Sequence, residues 1–170
     1  MKLTFFSLAS GSSGNCYYLG TSTCGILVDA GIDYRKISKI LYDYNIEFSS
    51  ISEVLVTHDH ADHIRTIGVL GEKLHIPVYS TQKVHEGIAK CRYINEKLVN
   101  SKRIIRKEEE FHIGNFSITA FDIPHDSTDC VGYHIVFGNH RFTFASDVGH
   151  ISDVVAKFIK KANHLIIEAN

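Results

Sequence analysis

Residues 57–65 read THDHADHIR, which places three histidines and two aspartates within the six positions from His58 to His63. Imidazole nitrogens suit zinc and other first-row transition metals, while carboxylates extend the range toward manganese and can bridge two ions. In a short loop, His58 and His60 can turn toward one ion while Asp62 and His63 turn toward another. A pair of ions of this kind stands about 3.5–4 Å apart and lowers the pKa of a shared water toward about 7. A flexible turn of surface histidines is the plainer alternative. It fits poorly, because the flanks are apolar and burying four such groups without a cation is costly.

Working outward, VLVT at residues 54–57 predicts a short buried strand ahead of the cluster. Ile64, Ile67 and Leu70 return at helical spacing and predict a helix over 64–74, so the cluster is expected in a strand-to-helix loop. Upstream, KLTFFSLA at 2–9, the turn SGSSGN, residues 16–19 and GILVD at 25–29 predict a β-rich opening. Between 33 and 44, Ile37, Ile40, Leu41 and Tyr44 fall at i, i+3, i+4, i+7 and predict an amphipathic helix. Downstream, 77–80 reads as a strand, 81–89 as a helix, and 103–113 as a strand pair or one broken strand. Strands at 116–121, 131–137 and 141–145 follow, the last two joined through Gly138-Asn139 as a hairpin. A helix at 152–160 and a final strand at 164–168 complete the chain. Mixed strands and helices without repeats or linkers predict one compact α+β domain over 1–170.

The chain has 170 residues, 44% hydrophobic and 22% charged, enough to bury a core. Its formal net charge of −1 excludes a uniformly basic nucleic-acid surface. A local patch at Lys102, Arg103, Arg106 and Lys107 runs straight into Glu108, Glu109 and Glu110, and such a run reads first as a solvated turn. Cys16, Cys24, Cys91 and Cys130 are scattered without CxxC spacing, and no basic-then-apolar leader is present, which predicts a reducing cytoplasm. No apolar run reaches the roughly 18 residues of a membrane-spanning helix.

HDHADH resembles the signature of the metallo-β-lactamase superfamily, in which the first two histidines serve one metal and the Asp-His pair the other. SLASGSSGN, ILVDAG, LVTHDHADHI, SDVGH and LIIEAN are similar to segments of its YycJ/WalJ-type branch, and the likeness extends over essentially all 170 residues. The resemblance implies the N-terminal and central part of an αββα sandwich with two divalent ions, zinc foremost, with manganese or iron as alternatives. It maps a third-motif histidine to His125 in IPHDST and a bridging aspartate to Asp147 in SDVGH. Asp29 in LVDAG becomes the buried aspartate that orients the metal loop without touching metal. Ser12 and Ser13 offer hydroxyls that could approach a phosphate, although a tight turn explains them equally well. Asp59, His134, His140, His150 and His164 match no ligand position.

The implied function is hydrolysis of a phosphodiester, in DNA or RNA, by a hydroxide shared between the ions, with Asp62 orienting or deprotonating the nucleophile. The other readings are a metallohydrolase for a lactone, thioester or cyclic nucleotide, and a non-catalytic metal-binding domain. Members of the branch continue past the IEAN-like segment with His-Asp and a later histidine, whereas this chain stops at Asn170. The expectation is an incomplete fold with exposed apolar surface, a deficient second metal shell and, for this chain alone, a weakened or inactive form of a hydrolase.

Overall fold

The computed structural model describes residues 2–169. They form two compact units, one running to Ile104 and the other starting at Ile105.

The first unit holds a six-stranded sheet in sequence order: β1 (Thr4–Ala9), β2 (Cys16–Gly20), β3 (Gly25–Val28), β4 (Ile51–Leu55), β5 (Val78–Ser80) and β6 (Lys102–Ile104). β1, β2 and β3 pair antiparallel, and β3 through β6 pair parallel. Parallel neighbours need crossovers. These are supplied by α1 (Tyr34–Asp43), by the helical stretch that starts with α2 (Ala61–Ile64), and by α3 (Gln82–Lys90). Helix starts follow their caps: Asp33 accepts from the Arg35 amide at 2.8 Å and Thr81 from the Val84 amide at 3.2 Å. Leu27, Val54, Val56 and Val78 meet Ile37 and Leu41 of α1, Ile64, Ile67 and Leu70, and Val84 and Ile88 of α3 in one core. Each such fully buried side chain contributes about 1.5–3 kcal/mol.

The second unit is a five-stranded sheet ordered β11-β10-β9-β8-β7, from β7 (Glu110–Ile113), β8 (Phe116–Asp122), β9 (Val131–Phe137), β10 (His140–Val148) and β11 (His164–Ala169). Only β10 and β11 pair parallel, and α4 (Asp153–Lys161) makes their crossover. Val155 and Phe158 of α4 pack on Phe121, Ile123, Cys130, Ala145 and Val148, with Phe121 and Phe158 stacked at 4.4 Å.

Four local expectations change. The strand before the cluster is Ile51–Leu55, three residues earlier than VLVT suggests. Tyr44 is 61% exposed and stacks on Phe6 at 4.5 Å in place of facing the core. The predicted helix over 64–74 begins at Ala61 and becomes a wider turn at Val69–Lys73, closed by Leu74 N–H donating to Val69 C=O at 3.1 Å. Glu72 in that turn gathers the backbone of 99–101, and Gly71 leaves room for it: a Cβ there would sit 2.5 Å from Ser101 Oγ. Residues 103–113 are two strands in different sheets, separated by a turn at Glu108 with φ 60°. Among the described residues no helix is long and apolar enough to cross a membrane.

Candidate metal centre

The chain leaves β3 at Val28 and turns sharply at Asp29, whose φ is 59°. An L-residue rarely takes this left-handed geometry, and aspartate is among the few side chains that tolerate it. The turn drives the Asp29 carboxylate under residues 57–63, where it is fully buried. It accepts from the Thr57 amide at 2.8 Å, the Thr57 hydroxyl at 2.8 Å and His63 Nδ1 at 2.8 Å. The backbone laces the same segment: Asp29 N–H donates to Leu55 C=O, Ala30 N–H to His63 C=O and Asn15 N–H to Asp62 C=O, at 2.7–2.8 Å. Gly31 lies so close that a Cβ would stand 1.6 Å from the Asp62 carbonyl oxygen.

This network selects the histidine tautomers. Thr57 has one hydroxyl proton and gives it to Asp29, so toward His58 Nδ1, at 3.0 Å, its oxygen can only accept. His58 therefore carries its proton on Nδ1 and a lone pair on Nε2. His63 donates Nδ1–H to Asp29, which likewise leaves the Nε2 lone pair. That lone pair receives the Asn15 side-chain amide at 3.0 Å, and the Asp62 carboxylate stands 3.7 Å away. The rings of His60 and His63 lie 4.5 Å and 4.1 Å from that of His58. A nitrogen of His58 lies within 4.8 Å of one on His60 and of one on His63. His58 and His63 are buried, whereas His60 and Asp62 are partly open. Three crowded imidazoles, two of them with lone pairs on Nε2, beside a carboxylate form a donor set that fits a zinc-type cation.

The cluster is not wholly a loop, as the spacing suggested. Asp62 and His63 stand in the first turn of α2, and His60 caps it with φ −72° and ψ 145°. Asp59 points elsewhere: its carboxylate lies against α3, where a Cβ on Gly87 would come 1.9 Å from Oδ2. Cys16 is buried, and burial first, then the charge of Asp29, pushes its thiol far up, so it stays an uncharged packing residue.

His125 and Asp147 belong to the second unit. His125 is half-buried in the loop between β8 and β9. Asp147 is 7% exposed near the end of β10, at an irregularity in the pairing with β11, and its φ of 54° matches the left-handed turn of Asp29. A bulge of this type re-aims a side chain. Pro124 C=O accepts from Gly149 N–H at 2.9 Å, so the His125 loop and the Asp147 turn are joined directly. Ser12 and Ser13 are exposed on the β1–β2 turn. Arg106 faces Glu109, and Lys107 is held by Asp122 and Asp129. The sequence reading missed Asn15 and Thr57 as partners of the histidines, and only their place in the SGSSGN turn and beside the cluster pointed to them.

The sequence family described as "Beta-lactamase superfamily domain" matches residues 25–170. The exodeoxyribonuclease WalJ of Streptococcus pneumoniae is 33% identical over 163 residues, covering 96% of this chain and 61% of that protein. The exodeoxyribonuclease YycJ of Bacillus anthracis is 32% identical over 170 residues, 100% of this chain and 64% of that protein. The chain thus spans a little over three-fifths of the relatives it matches. A solved metallo-β-lactamase of Cronobacter sakazakii superposes with a TM-score of 0.76 at 12% identity, covering 96% of this chain and 74% of that one.

Proposed function

Because the chain belongs to the beta-lactamase superfamily and has the metallo-β-lactamase fold, we propose that it is a divalent-metal-dependent phosphodiesterase acting on nucleic acid in the cytoplasm. The names of its exodeoxyribonuclease relatives favour DNA over RNA. The observation that carries the reading is the Asp29–Thr57 network, which favours the protons of His58 and His63 on Nδ1 and leaves a lone pair on each Nε2, that of His63 shared with the Asn15 side-chain amide. In this reading residues 1–170 are one domain with ligands for two ions, zinc foremost: His58, His60, Asp62 and His63 are those of the first unit, and His125 and Asp147, the ligands that the family resemblance implies, belong to the second.

Bound divalent ions supply Lewis acidity toward a phosphodiester and lower the pKa of water toward about 7. The chain's own groups do the rest. Asp29 and Thr57 hold the imidazoles in the coordinating tautomer. Asp62, about a third exposed and 3.7 Å from His63 Nε2, takes the proton of the attacking water on its carboxylate and orients that water toward phosphorus. Ser12 and Ser13, exposed on their turn, in this reading offer hydroxyls to a phosphate oxygen of the substrate.

The test uses labelled single- and double-stranded DNA and RNA with zinc or manganese. Whatever cleavage the chain shows is expected to fall by at least about 100-fold in the His58→Ala, His60→Ala variant. Cleavage that survives the double change overturns the metal reading. Turnover of a thioester or lactone panel with nucleic acids untouched overturns the substrate.

A further inference from the structure

The loop bearing His125 is the connection of a hairpin. β8 ends at Asp122, β9 begins at Val131, and Ile123 N–H donates to Cys130 C=O at 3.0 Å to close the ladder. Within the loop Ser127 Oγ–H donates to Asp129 C=O at 3.0 Å. A further restraint comes from outside the hairpin. Residues 107 and 108 run beside β8, with a bridge from Lys107 to Ala120 and Glu108 N–H donating to Ala120 C=O at 2.7 Å. Glu108 turns there with φ 60°, and its carboxylate is tied to Lys157 of α4 at 3.0 Å. This leaves the Lys107 ammonium at the mouth of the hairpin, donating to Asp122 Oδ1 at 2.5 Å and Asp129 Oδ1 at 2.6 Å. One carboxylate stands before the His125 loop and the other at its end. Asp129 is only 12% exposed and the Lys107 side chain 30%, so screening by water is reduced at that end of the clamp.

We propose that Lys107 is a positioning residue for the two ligand candidates of the second unit: it holds both ends of the His125 loop together and, through the Pro124–Gly149 hydrogen bond, steadies the turn that carries Asp147. The inference rests on the reading of His125 and Asp147 as ligands. Without the ammonium, two carboxylates brought side by side repel each other and the hairpin mouth opens. The amide protons of Ile123 and Gly149 then lose protection, and the two second-unit ligands lose their common frame.

The experiment compares Lys107→Met with wild type and with Lys107→Arg, which retains the charge and two-pronged geometry. In the metal-free chain, hydrogen exchange at Ile123 and Gly149 is expected to quicken by about tenfold in Lys107→Met and to stay near wild type in Lys107→Arg. Titration with zinc alone is expected to show affinity about tenfold weaker in Lys107→Met and retained in Lys107→Arg. Unchanged exchange in Lys107→Met overturns the clamp. Quickened exchange with wild-type zinc affinity overturns its positioning role. A wild-type chain that takes up no zinc overturns the metal reading instead, and exchange still judges the clamp. Should Lys107→Met fail to fold, Asp129→Asn removes one arm and is held to the same outcomes at smaller size.

Discussion

Asp29 Oδ2 lies 2.8 Å from His63 Nδ1, with both side chains withdrawn from solvent. Every polar contact of that carboxylate described above comes from a donor: an amide, a hydroxyl and an imidazole N–H. Asp29→Asn keeps the shape but turns an N–H₂ toward one of them. Where that N–H₂ faces His63, the imidazole avoids two facing donors by moving its proton to Nε2, which displaces the Asn15 amide and removes the coordinating lone pair. Zinc affinity is expected to fall about 10–100-fold, and the metal-free protein to lose about 1–3 kcal/mol in urea unfolding. Wild-type zinc affinity in the variant sinks this account of the tautomer.

Gly31→Ala tests the close approach on the other side of the loop. The added carbon would meet the Asp62 carbonyl oxygen at 1.6 Å, and that oxygen is pinned by the Asn15 amide at 2.7 Å. Backbone must shift, at a cost of about 3 kcal/mol or more. Gly138→Ala is the control: nothing lies within 4 Å of its Cβ, and only its φ of 56° opposes the change, a penalty of about 1–2 kcal/mol. Equal loss of stability in the two variants contradicts the packing argument.

The metal loop was legible because its chemistry is local: ligand-type side chains crowded between apolar elements announce themselves at short range. Asp29, His125 and Asp147 were reached through resemblance, and their left-handed or loop backbones carry no periodic signal. Asn15 was hidden by its turn, since an asparagine among glycines and serines is explained without any partner 48 positions away. Lys107 was concealed by its neighbours: in a run of basic and acidic residues it read as solvated surface, yet Asp122 and Asp129 arrive from another part of the sheet. β6 and β7 read as a strand pair or one broken strand, because strand propensity continues across the turn while hydrogen-bond partners change.

Glu72 makes stability depend on acid. Its carboxylate is drawn down to about 2, first by the Ser101 hydroxyl and then by the Val99 amide, with smaller help from the Ser101 amide and Asn100. The folded value lies below the ordinary 4.5, so the unfolded chain binds the proton more readily as pH falls. The stabilisation is therefore complete above about 4.5 and is lost progressively toward about 2. Urea unfolding of wild type and Glu72→Gln across that window is expected to show a gap that closes as pH drops. A gap that is constant with pH excludes the charged carboxylate as its source.

Thr57 separates the two duties of the loop most cleanly. Its hydroxyl donates to Asp29 at 2.8 Å and accepts from His58 Nδ1 at 3.0 Å, so it relays the carboxylate's polarity to a histidine that the carboxylate does not itself bond in this network. Thr57→Val keeps the volume and loses the relay, leaving the His58 Nδ1 proton without this acceptor in a buried setting, a cost of about 1–3 kcal/mol. His58 then gains from placing its proton on Nε2, and zinc affinity is expected to drop about tenfold. Thr57→Ser restores the hydroxyl and should recover affinity even if the missing methyl lowers stability. Nitrogen chemical shifts of His58 report the tautomer directly in the metal-free protein. If Thr57→Val leaves Nδ1 protonated and zinc bound as tightly as before, the orientation of His58 is set by something other than this hydroxyl.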